Sequence, residues 1–186
     1  MTVIVGFIDT ENRIQYMGAD TMLSACSDAV NSRHEKIFNS GSYLVGHTGS
    51  PRANQIIRYV HKFPRYTKRW SDDTTGFMCS KVVPGLMAAL IEHGYAKNDC
   101  GHFEMEDIFM MMFAGKIYSI WADFQVFEPT TNFFAVGSGA QIALGSMMAS
   151  ADMGLDAEER ILLAVESSIE YSTNVGGECM LLSRKY

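Results

Sequence analysis

The chain has 186 residues, with 15 Lys and Arg against 21 Asp and Glu, a formal net charge of −6. Its composition is 47% hydrophobic and 19% charged, which excludes a disordered chain and a strongly basic nucleic-acid tail. That length suits a single domain with a core of its own, which needs no disulfide or metal staple. The four cysteines, Cys26, Cys79, Cys100 and Cys179, are scattered, and the start lacks a basic region followed by an apolar run. A reducing cytoplasm with buried free thiols is therefore expected. The longest strongly apolar stretch, residues 108–114, falls far short of the ~20 residues that span a bilayer, so no membrane insertion is expected.

Taken in order, residues 3–8 and 14–17 are apolar runs around the polar turn at 9–13, which predicts a hairpin. Residues 36–38 and 43–47 flank Asn39-Ser40-Gly41-Ser42 and predict a second. From Pro51 the pattern turns helical: Ser50 is the N-cap candidate, proline takes the first position, and Ala53, Ile56, Ile57 and Val60 form a stripe. Val83, Leu86, Met87, Leu90 and Ile91 form another, over 82–93, stopped by Gly94. Strands return at 108–113 and 117–124 around Ala114-Gly115, and again at 133–136. Helices are predicted at 142–153 and, capped by Asp156 with Glu158 and Glu159 in its first turn, at 156–171. A strand over 177–183 closes the chain. Hairpins grouped apart from helix pairs predict an α+β domain of two mainly antiparallel sheets between two helix layers.

Thr2, just ahead of the first strand, carries the sharpest chemical signal. Threonine is small enough for methionine aminopeptidase to remove Met1, leaving an N-terminal hydroxyl beside its own amine of pKa ~7.7–8.0. Four further segments accompany it: Met17-Gly18-Ala19-Asp20, Glu35-Lys36-Ile37-Phe38, Val45-Gly46-His47-Thr48-Gly49-Ser50 and Ala135-Val136-Gly137-Ser138-Gly139. In this order along the whole chain, they resemble proteasome β subunits and HslV-type peptidases, N-terminal-nucleophile hydrolases with an αββα sandwich.

The resemblance implies roles residue by residue. Thr2 would be the nucleophile and Lys36 the cation beside it, with Arg33 and His34 as fallback assignments. Asp20 would hold that cation, Gly49 would supply the oxyanion N–H, and Ser138 would bond near the threonine amine. An acid and a hydroxyl are expected before Gly176-Gly177; Glu170 with Thr173 keeps those types, and Ser172 is the alternative. No cofactor is implied. The implied assembly is a stacked homo-oligomeric ring that degrades unfolded proteins and peptides, fed by an ATP-dependent unfoldase. Only Met1 would then stand between Thr2 and activity. The rivals are a silent structural ring subunit that retains Met1, and a hydrolase of small amides.

Other features are weaker. Residues 58–70 are basic with interleaved aromatics, a pattern that nucleic acid binding would use, but the acidic net charge and the position at a helix exit argue against it; such a run is usually solvated or interfacial, and in a ring it could face a neighbouring subunit. Cys79, His93, Cys100 and His102 lack the paired spacing of a zinc set. Gly137-Ser138-Gly139 fits neither a dinucleotide fingerprint nor a nucleophile elbow. Met110, Met111, Met112, Met147 and Met148 are expected to fill core or interface.

Overall fold

In β1 (Val3–Asp9), Val3, Val5 and Phe7 point into one apolar layer while Ile4 and Ile8 point into another. Side chains alternate along a strand, so a strand that is apolar on both faces must lie between two layers. The structure, a computed structural model, describes residues 2–25, 28–31, 35–99 and 102–186.

β1 is flanked in a four-stranded sheet ordered β12-β1-β2-β13, where β2 is Ile14–Asp20, β12 is Phe133–Gly137 and β13 is Cys179–Lys185. The second sheet is ordered β11-β10-β9-β6-β5. Its strands are β5 (Ile37–Ser40), β6 (Tyr43–Thr48), β9 (Ile108–Phe113), β10 (Lys116–Ile120) and β11 (Val126–Phe127). All pairings in both sheets are antiparallel.

Three apolar layers hold this arrangement. Ile4, Ile8, Met17, Ile37, Leu44, Met110, Met112 and Ile117 fill the space between the sheets. Val3, Val5 and Phe7 meet Ala143, Met147, Ile161, Ala164 and Val165 from α4 (Ala140–Ala149) and α5 (Ala157–Tyr171). On the far side Val45, Phe109, Met111 and Phe113 meet α1 (Pro51–Tyr59), α2 (Thr74–Phe77) and α3 (Val83–Glu92). The helix–sheet–sheet–helix order predicted from the hairpins and stripes is thus present, and Met110, Met111 and Met112 are core.

Local signals account for most boundaries. Ser50 caps α1 by accepting the Arg52 N–H at 3.2 Å, with Pro51 in the first turn. Asp156 and Glu159 form a reciprocal capping box at the start of α5. Ala114 and Gly115, at φ 52° and 74°, make the left-handed two-residue turn that joins β9 to β10.

Several expectations need correction. The helical run begins at Thr74, eight positions before the expected start, because Asp73 caps it by accepting the Gly76 N–H at 2.7 Å; a π-helical turn at Met78–Val82 joins α2 to α3. This Thr74–Glu92 run is 19 residues, long and apolar enough by length and composition to cross a membrane, although Phe77, Met78, Val82, Leu86 and Leu90 are buried in the core. β10 ends at Ile120 instead of running to 124, since the chain reverses through Phe124 at φ 64°. Two small hairpins were not foreseen: β3 (Met22–Ala25) with β4 (Asp28–Asn31), and β7 (Lys97–Asp99) with β8 (His102–Glu104). Cys79 is exposed and Cys179 half-buried, so neither is the fully buried thiol expected. Cys26 and Cys100 lie outside the described residues.

Candidate active site

The antiparallel register of β1 against β2 brings the start of one strand to the end of the other: Ile4 faces Ala19, so Thr2 and Val3 lie beside Asp20. Asp20 is 1% exposed and serves three donors. Its Oδ1 accepts the Val3 N–H at 3.0 Å and the Lys36 ammonium at 2.8 Å, and its Oδ2 accepts the Gly176 N–H at 3.2 Å. A buried carboxylate is tolerated only with such company.

Lys36, immediately before β5, is also buried. Burial holds its pKa below the ordinary lysine value, and the Asp20 charge and hydrogen bond oppose that shift. One buried ammonium is thus tied to the carboxylate that pins the first strand at Val3.

Thr2 is tied from the other side. β1 pairs with β12 so that Val3 faces Gly137, which sets Ser138 next to Thr2. The Thr2 N–H donates to Ser138 Oγ at 3.2 Å, and the Ser138 hydroxyl donates to the Thr2 carbonyl at 3.3 Å. A hydroxyl can accept and donate at once. The Gly139 N–H reaches the same carbonyl at 3.3 Å. Gly137 has φ 97°, and a Cβ there would stand 2.2 Å from the Thr2 carbonyl oxygen and 3.3 Å from Thr48 Cγ2. Thr2 and the end of β6 therefore close on one glycine.

Gly49 follows Thr48 at φ 112°, outside the range that other residues adopt readily. Gly49 and Ser138 are exposed while Thr2, Asp20 and Lys36 are buried, so a charged interior opens to solvent at two polar backbone turns. Five sequence candidates, Thr2, Asp20, Lys36, Gly49 and Ser138, come to one end of the sandwich. Arg33 and His34 lie outside the described residues, as does Met1.

Glu170 lies on the exposed face of α5. α5 continues through Tyr171, and its period turns Ile161, Ala164, Val165 and Ser168 inward and Glu170 outward to solvent. Thr173 is exposed as well, and Ser172 is the C-cap, its N–H bonded to the Ser168 carbonyl at 3.0 Å. The residue missed is Ser168, whose buried hydroxyl lies 3.1 Å from the Gly139 carbonyl and 2.9 Å from the Ala164 carbonyl. A buried serine in step with the apolar stripe was the available signal. Ser168→Ala is expected to cost about 0.5–1.5 kcal/mol by removing a buried hydrogen bond to the Gly139 carbonyl, which keeps the Ala143 N–H, whereas Glu170→Gln stays within ~0.5 kcal/mol as an exposed change. Urea unfolding of both variants checks this, and an equal loss in the two would contradict the assignment.

Two surface clefts, about 470 and 430 Å³, include none of the five residues; one is lined by Tyr43, His61, Phe63 and Arg65, the other by Asp9, Asn12, Asn132 and Arg160.

Solved structures share this architecture. Thiobacillus denitrificans BPH superimposes with a TM-score of 0.79 at 25% identity, over 100% of this chain and 98% of its own. The chain has the proteasome β/HslV-type fold. The same BPH in complex with epoxomicin matches at 23% identity and a TM-score of 0.79, over 99% of this chain and 98% of that one. The eukaryotic HslV of Trypanosoma brucei matches at 15% identity and a TM-score of 0.68, with 100% of both chains covered. No family model and no curated protein matches the sequence. The proteasome-type peptidase fold therefore stands on three-dimensional likeness, and Asp20, Lys36 and Ser138 lie at the end of the sandwich where Thr2 precedes the chain's first strand.

Proposed function

We propose that this chain is a threonine-type N-terminal-nucleophile peptidase, acting once Met1 has been removed from Thr2. The observation that carries the proposal is the buried Lys36–Asp20 pair locked to the first strand beside Thr2, with Ser138 bonded to both the nitrogen and the carbonyl of that threonine.

Thr2 Oγ attacks the scissile carbonyl, and its proton passes to the threonine amine, a base of ordinary pKa ~7.7–8.0. The nearby ammonium of Lys36 favours the neutral amine and the ionised hydroxyl, and Asp20 keeps that ammonium in place. The Gly49 N–H meets the oxygen on which negative charge develops. The tetrahedral intermediate then expels the amine of the departing peptide, which takes a proton, and water hydrolyses the ester left on Thr2. The chain works in a stacked homo-oligomeric ring, fed with unfolded protein by an ATP-dependent unfoldase; the full-length likeness to HslV supports that assembly.

Intact-protein mass, together with a Thr2→Ala variant assayed on fluorogenic peptides and on an unfolded protein, tests this. The expected result is loss of one methionine in the wild type, and at least about a 10⁴-fold drop in kcat for the variant, the scale set by removal of a covalent nucleophile. Turnover undiminished in Thr2→Ala would sink the proposal, and a native protein that retains Met1 would leave the structural ring subunit standing in its place.

A further inference from the structure

The space that a side chain at Gly49 would occupy is filled by Asp107. A Cβ on Gly49 would lie 1.7 Å from Asp107 Oδ1 and 2.7 Å from its Cγ. The sheet dictates this encounter: β6 pairs with β9 so that Thr48 faces Ile108, and the residues just beyond each strand, Gly49 and Asp107, meet at the same end.

Asp107 is 1% exposed, yet its surroundings give it several polar neighbours. Its Oδ1 accepts the Ser50 N–H at 2.7 Å and stands 3.3 Å from His47 Nε2. Tyr95 is an electrostatic neighbour of it and of Ser50. His47 is itself buried, its ring 4.6 Å from that of Phe109. Burial acts to raise the Asp107 pKa, and the neighbouring His47 and Tyr95 with the Ser50 amide outweigh it, holding the carboxyl below the usual carboxylate range. An ionised carboxylate is expensive in an apolar layer, and apolar packing of the same volume would give comparable stability without it. What it does supply is a fixed acceptor at one turn. The Ser50 amide is committed to Asp107, and the Gly49 amide has no backbone partner among the described residues.

We propose that Asp107 is the positioning residue of the oxyanion turn: it takes up the Ser50 N–H, fills the face where Gly49 lacks a side chain, and so holds the Gly49 N–H ready for the developing charge. The catalytic half of this inference rests on Thr2 being the nucleophile; the structural half, that Asp107 holds residues 48–50, does not.

The test uses the full-length protein as wild type, Asp107→Asn, Tyr95→Phe, Gly49→Ala and the Asp107→Asn/Gly49→Ala double variant. Asp107→Asn is expected to lower kcat about 100-fold with KM changed less than about twofold, as a misplaced transition-state donor does. Tyr95→Phe, which removes a polar neighbour of Asp107 and Ser50 and leaves the carboxylate, lowers kcat about 3- to 10-fold, roughly the range of one polar interaction. The double variant falls no further than about the worse single one, because both act through one turn. Amide hydrogen exchange over residues 46–52 accelerates at least about tenfold in Asp107→Asn while exchange in β1 and β2 does not.

Unchanged kcat in Asp107→Asn, a loss confined to KM, multiplicative losses in the double variant, or acceleration spread evenly over the chain would each overturn the inference. Should Asp107→Asn fail to fold, Tyr95→Phe decides by the same two readouts. Wild-type turnover in Thr2→Ala would refute the nucleophile instead, and local exchange would still show whether Asp107 holds the turn.

Discussion

Replacing Asp20 with asparagine is expected to abolish peptide turnover and to lower stability by about 3–5 kcal/mol at pH 7, the cost of breaking a buried ion pair. Three donors converge on this carboxylate, from Val3, Lys36 and Gly176. Asparagine has one acceptor oxygen, so whichever way its amide turns, an NH₂ faces a donor. The Lys36 ammonium meanwhile keeps the burial that already lowers its pKa and loses the Asp20 charge that opposed the shift. In the wild type, the unfolded chain therefore binds more protons at Lys36 than the folded chain does, between the lowered pKa and the ordinary lysine value of about 10.4. Stability from this group rises with pH through that window and falls as pH drops through the folded pKa. Asparagine widens the window downward. The stability deficit of Asp20→Asn should thus shrink as pH is raised from 7 toward 10, as Lys36 gives up its proton. Guanidinium unfolding at both pH values measures it, and a deficit that is independent of pH would refute the account of the pair.

The same pair explains why much of the site was legible in the sequence. Asp20, Gly49 and Ser138 sit at the end of a strand or just after one, and Lys36 sits just before one, and such strand boundaries are marked by alternation and turn residues that can be read directly. Once β1 pairs with β2 and β12 and packs against β6 of the facing sheet, those ends have to converge. The choice of Glu170 depended on residue type and gap length, whereas helix phase decides what faces inward: Glu170 is exposed, and Ser168, in step with Ala164 and Val165, occupies the inner face. Asp107 had no local signal at all. Its importance comes from a register between strands 60 positions apart, Thr48 against Ile108, which no window along the chain contains. Thr74-Thr75-Gly76 reads as a poor helix start by propensity, and the cap from Asp73 overrides it.

Gly137→Ala is expected to leave a folded protein that has lost about 100-fold or more in kcat. An alanine there is held at φ 97°, which costs roughly 1–2 kcal/mol, and overpacking adds about 1–3 kcal/mol. A domain with about 5–15 kcal/mol in hand survives that sum. The position of Thr2, the proposed nucleophile, does not. The new methyl would stand 2.2 Å from the Thr2 carbonyl oxygen and 2.9 Å from its carbon, both backbone atoms that cannot rotate away as a flexible side chain would. Thr2 has to move, and it can do so only by stretching its bonds to Ser138 and Gly139. A displacement of about 1 Å at a reacting group is enough for a 10²-fold loss. Gly41→Ala separates strain from displacement, because Gly41 also has a positive φ, 58°, but nothing lies within 4 Å of its would-be Cβ. That control should lose a comparable strain energy of about 1–2 kcal/mol and keep its turnover. If thermal unfolding and peptide kinetics gave Gly137→Ala the same mild profile as Gly41→Ala, Thr2 would not be the group whose position sets the rate.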